Sequence, residues 1–137
     1  MSNIKKTFVL PVYYTIERKT KKNSTHLIGA NWLRNVHYHV KNQVKQYLAG
    51  LIHDQITEKF YIKNKYKVTY TYYYKNKRSD LMNVISATSK AFLDSLQECE
   101  CIDDDSVEYC IEEVSKVGGL DKNNPRVEII LEEVNAH

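Results

Sequence analysis

The chain has 137 residues, 42% apolar and 27% charged, with only 4 Gly and 2 Pro. That is enough for one core and too little for two of ordinary size, and it excludes disordered and collagen-like chains. The net charge of +3 hides a strong division: residues 1–78 carry 16 Lys and Arg against 3 Asp and Glu, whereas residues 79–137 carry 4 against 14.

Residues 7–16 (TFVLPVYYTI) are β-branched and aromatic and predict one strand, with Pro11 near an edge or bulge. Glu17 to Gly29 is polar and basic and predicts a long loop with room for a binding role. From Asn31 to about Lys59 the spacing of Leu33, Val36, Val40, Val44, Leu48 and Ile52 predicts a helix with Asn31 as its N-cap, weakened or bent at Gly50. Arg34, Lys41 and Lys45 fall together on its opposite face. Residues 66–75 (YKVTYTYYYK) alternate as a strand with Val68, Tyr70, Tyr72 and Tyr74 on one side. A second helix is predicted from about Leu81 to Gln97. Strands follow near Val107–Val117 and Arg126–Val134, joined through Gly118-Gly119 and Asn123-Asn124-Pro125. The order β-α-β-α-β-β argues for an α+β or α/β sandwich with helices covering a mixed sheet; the expectation is α+β, a mixed β-sheet packed by two main helices, with residues 1–137 as a single domain.

No run of about 18 apolar residues offers a membrane span. The start, Met1-Ser2-Asn3-Ile4-Lys5-Lys6, lacks the apolar stretch of a secretory signal. The odd, clustered set Cys99, Cys101 and Cys110 fits reduced thiols in a cytoplasm better than a disulfide framework.

The charge division suggests a polyanion for the basic half and chemistry that needs carboxylates for the acidic half; a plain solvated surface is the simpler alternative. On the second helix, Asp80, Asn83, Ala87, Lys90 and Asp94 share a face opposite the stripe Leu81, Ile85, Thr88, Phe92 and Leu96. Read plainly, that face is solvated and carries an i,i+4 pair between Lys90 and Asp94. Asp103-Asp104-Asp105 repel one another unless a cation compensates, and hard oxygen ligands suit Mg²⁺; the plain reading is an acidic turn. The tract lacks EF-hand spacing. His37 and His39, at i,i+2 on a helix, are no zinc pair, and the cysteines lack paired zinc spacing. Tyr70 to Tyr74 offer rings for base stacking, but an aromatic strand is more often core.

The segments Arg78-Ser79-Asp80-Leu81-Met82-Asn83, Lys90-Ala91-Phe92-Leu93-Asp94-Ser95-Leu96 and Ile102-Asp103-Asp104-Asp105-Ser106 resemble the RusA family of Holliday-junction resolvases, common in phages and prophages. The match covers residues 78–117, and the basic segment Asn31 to Lys45 is similar to a helix of phage members. The resemblance implies a RusA-like fold and a homodimeric, Mg²⁺-dependent endonuclease (Mn²⁺ being the alternative ion) that cuts four-way DNA junctions in recombination and repair. It implies a protein of the bacterial host cytoplasm that engages no membrane. Carried over by position, Asp80 and either Asp104 or Asp105, with Asp105 preferred, bind the metal, and Lys90 assists catalysis. The basic residues expected on DNA are Arg34, Lys41, Lys45, Lys77 and Arg78. Two departures stand out: Met82 occupies a place where many members have a second aspartate, and the interval from Asp80 to Lys90 is one helical turn longer than in compact members. A non-catalytic branched-DNA-binding protein of the same fold is the alternative.

Overall fold

A computed structural model describes residues 3–134. Met1 and Ser2, which open the segment considered above for a secretory signal, lie outside the described residues, as do residues 135–137. The chain runs β1 (Lys5–Pro11), β2 (Tyr13–Ile16), β3 (Ser24–Leu27), α1 (Ala30–Asn35), α2 (Tyr38–Gln55), β4 (Tyr66–Tyr74), α3 (Leu81–Glu98), β5 (Cys110–Leu120) and β6 (Arg126–Glu133). The class is α+β. A mixed four-stranded sheet has the order β1-β6-β4-β5, and β2 with β3 forms a separate hairpin. All neighbours in the sheet are antiparallel except β4 and β5, and that parallel pair requires the crossover that α3 supplies. Among the described residues no helix is long and apolar enough to cross a membrane.

Period-two patterning places Tyr66, Val68, Tyr70 and Tyr72 of β4 on one face with Val127, Ile129 and Leu131 of β6 and Phe8 and Leu10 of β1; all are buried. The aromatic strand is therefore core and offers no free rings for base stacking from that face. On this face lies α3, its Phe92 edge-on to Phe8 at 5.0 Å between centroids. Burying a ring of that size contributes roughly 1.5–3 kcal/mol. Because α3 has the sheet on one side and α1 and α2 on another, it buries Val84, Ala87 and Ser95 as well as Ile85, Phe92 and Leu96. Its supposed solvent stripe is thus half a helix–helix contact. The partner helix α2 contributes Val44, Leu48 and Ile52, spaced by four.

Five sequence expectations are corrected. The strand over residues 7–16 is two strands, because the chain turns at buried Val12, whose carbonyl accepts the Ile28 N–H at 2.7 Å. The loop expected over Glu17 to Gly29 contains β3, paired to β2 and clipped by Thr15 Oγ1 and Thr25 Oγ1 at 2.9 Å. The helix from Asn31 to about Lys59 is two helices ending at Gln55, broken where Val36 and His37 turn extended. Gly50 sits inside α2 rather than at the break. The N-cap of α1 is Gly29, which has no side chain to cap with; Asn83 Oδ1 reaches across from α3 to accept the Asn31 N–H at 2.9 Å. Finally, Gly118-Gly119 lies within β5, and the chain turns later. A Cβ on Gly118 would meet the Tyr73 ring at 2.7 Å, and Gly119 holds φ +137, so both positions need glycine without being a turn.

Candidate functional site

Two hollows flank α3, and Lys90 lines both. On the α1–α2 side is a groove of about 710 Å³ whose charged lining is Arg34, Lys41, Lys45, Lys90 and Asp94. The sequence expectation that Arg34, Lys41 and Lys45 share a face holds across the break between α1 and α2, because α2 restarts with those residues still turned toward α3. Lys90 Nζ lies 3.2 Å from Asp94 Oδ2, with the lysine side chain 75% exposed. Such an exposed pair contributes only about 0.3–0.5 kcal/mol, so Lys90 exchanges Asp94 for another anion at little cost.

On the β5 side is a smaller cavity of about 370 Å³, walled by Met82, Ser86, Ser89 and Lys90 of α3 and by Asp105 and Glu113. Glu113 reaches it because it shares a sheet face with Val68, its register partner in β4, and that face looks toward α3. Ser89 Oγ donates to Glu113 Oε2 at 2.7 Å. Beneath this pair the Tyr70 hydroxyl is buried without a hydrogen-bond partner, and burial pushes its pKa far up. Burial, with the Glu113 carboxylate next, also raises the Cys110 thiol to about 11. Asp105 and Glu113 share this cavity's lining.

The other acidic candidates are employed elsewhere. Asp80 is exposed and caps α3, its Oδ1 accepting the Met82 N–H at 3.0 Å. Ten residues of helix rise, about 15 Å, separate it from Lys90. Asp104 Oδ1 accepts the Asp105 N–H at 2.8 Å, and its carbonyl accepts the Tyr66 hydroxyl at 2.7 Å. Asp103 is gripped by the Tyr61 hydroxyl at 2.7 Å, which raises the tyrosine's pKa. Among the described residues no three His, Cys, Asp or Glu side chains converge on a point that could hold a metal ion. Asp80, Asp104 and Asp105 are therefore not gathered into one ligand set. What shares a cavity is Asp105 with Glu113. Two carboxylates with water and a substrate phosphate are the donors Mg²⁺ ordinarily takes, so this pair fits the ion that the resemblance implies.

A third hollow, about 740 Å³, lies at the end of β4 and gathers Lys75, Lys77 and Lys122 around Tyr13 and Asn76. Lys77 belongs there, apart from the groove, and Arg78 is exposed next to it, its N–H on Asn76 Oδ1 at 2.9 Å. His37 caps α2 by accepting the His39 N–H, and its ring stacks on His39. The three cysteines are free thiols.

Sequence reasoning missed Glu113, Lys75 and Lys122. The signal for Glu113 was the pairing phase of β5: a carboxylate in register with Val68 must turn toward the core side. That register needs the sheet, which one strand's sequence does not contain. The chain matches no protein-family model and no curated protein.

Proposed function

We propose that the chain is a metal-dependent, structure-selective endodeoxyribonuclease of RusA type, acting as a homodimer on four-way DNA junctions in a phage-infected or prophage-bearing bacterial cytoplasm. The observation that carries this reading is α3 itself: a helix with a basic groove on one side, an acidic cavity on the other, and one lysine in both. Arg34, Lys41 and Lys45 would take phosphates of one DNA arm, with binding that weakens steeply with salt through counterion release. Lys77 and Arg78, with Lys75 and Lys122, offer a second contact further along. Asp105 and Glu113 would hold the divalent ion, and Asp80, which caps α3 outside this cavity, would reach it only if DNA binding drew the helix start inward. Bound there, Mg²⁺ or Mn²⁺ would polarise a phosphoryl oxygen and lower the pKa of a water. Lys90, loosely held by Asp94, would move onto the developing phosphoryl charge.

The test is incubation of the protein with a synthetic four-way junction and with a linear duplex of equal length, each with and without Mg²⁺. Junction cutting only with the ion is the expected outcome; cutting of both substrates alike would sink the structure selectivity. Met82 in the cavity wall, where an aspartate would add a ligand, favours one alternative: tight metal-independent junction binding without cutting would mark a non-catalytic branched-DNA-binding protein.

A further inference from the structure

The two edges of the sheet are treated differently. At the β1 edge, the outward N–H and C=O of Val9 are both occupied by the Gln55 side chain, at 2.8 Å each. Pro11, with no N–H, closes the same strand. At the β5 edge, among the described residues, no side chain from outside the strand bonds to its backbone, although the strand runs 11 residues. It also exposes Ile111 at 46% and Val117 at 59%. A long open edge with apolar side chains is a template for another strand.

The sequence of β5 selects the occupant. A two-fold axis perpendicular to the sheet brings two copies of an edge strand together antiparallel while keeping each sheet face on its own side. Centred on Val114, that axis sets Glu112 of each copy against Lys116 of the other, with Glu113 beside Ser115; Ile111 lies at a bulge beyond this paired segment. Moving the centre one residue back sets Glu113 against itself, and like charges directly opposite are destabilising. Moving it one residue forward sets Lys116 against Val114 and leaves Glu112 facing Gly118. Of these registers, only that centred on Val114 sets opposite charges against each other.

We propose that β5 pairs with β5 of a second copy about a two-fold axis at Val114, joining the two sheets into one. The strand's charges then admit its own twin and repel most other strands, while Gln55 and Pro11 keep the β1 edge out of assembly. Both acidic cavities flank the seam, because Glu113 lies in the paired segment. This inference gives the homodimer of the junction reading its interface but rests on edge chemistry alone.

Sedimentation and light scattering on the full chain at micromolar concentration should give a dimer. Glu112→Lys, which sets like charges opposite at both ends of the seam, should raise the dimer dissociation constant at least about tenfold. The double variant Glu112→Lys, Lys116→Glu restores opposite charges and should restore the dimer, a recovery that general loss of folding would not produce. Gln55→Ala should leave the dimer unchanged. A wild-type monomer, or a dimer indifferent to Glu112→Lys, overturns the proposal. A dimer with this charge behaviour that cuts no DNA leaves the interface standing and sinks the nuclease reading instead.

Discussion

On its α2 side α3 faces Arg34, Lys41 and Lys45, exposed cations that form no ion pair among the described residues; on its β5 side it faces Asp105 and Glu113, the latter fixed by Ser89 above the buried Tyr70. The groove's charges are exposed to solvent, so they cost the fold little and act at a distance that salt screens. The cavity's carboxylates are exposed as well, but they share one hollow in which Glu113 is held in place by the Ser89 hydroxyl. Under the proposed function the difference separates affinity from chemistry, and Lys90, which lines both hollows, is where the two would meet.

The largest way to break that contrast is at the cavity. Asp105→Asn and Glu113→Gln should each lower the single-turnover rate of junction cutting in Mg²⁺ at least about a hundredfold, ~2.7 kcal/mol of barrier. Metal-free junction affinity should hold or rise, because an anion facing phosphates has gone. Isothermal titration with Mn²⁺ should show weakened ion binding in both variants, and intact ion binding in Glu113→Gln would remove Glu113 from the site.

On the other side of α3, combined Arg34→Ala, Lys41→Ala and Lys45→Ala should weaken junction binding. It should also flatten the dependence of log affinity on log salt by close to 3, about one unit for each lost phosphate contact. The cutting rate of bound junction should stay within a few-fold of wild type. An unchanged salt slope moves the DNA face elsewhere, with the hollow of Lys75, Lys77 and Lys122 the next to test.

The smallest effect is expected where the two sides share an anchor, at Asp80. Asn caps a helix as well as Asp does, so Asp80→Asn should keep the thermal midpoint, whereas Asp80→Ala should lose about 1 kcal/mol of stability. Cutting by Asp80→Asn should fall about tenfold, ~1.4 kcal/mol, less than at Asp105. A loss as deep as that of Asp105→Asn would show that Asp80 closes onto the cavity when DNA binds.

Much of the molecule was legible without coordinates. Alternation in β4 and β6 and the three-to-four spacing of Leu81, Ile85, Thr88, Phe92 and Leu96 report local geometry, since side-chain direction follows directly from backbone period. The pair Lys90 and Asp94, four residues apart, is present for the same reason. Less legible were the breaks. Val12, His37 and the Gly118-Gly119 pair lie where the chain is steered by groups remote in sequence: the Ile28 amide, the packing of α1 on α3, and the Tyr73 ring.

The sequence by itself therefore determined the class of the fold, the main helices and strands, and the division of charge between halves, because each is written in residues a few positions apart. The tertiary structure alone decided which charges meet. It tied Asp103 to Tyr61, turned Glu113 toward the cavity of Asp105 by pairing β5 with β4, and set Arg34, Lys41 and Lys45 against α3. A site is a statement about distance in space, and register, crossover and helix packing set those distances through contacts between residues far apart in the chain.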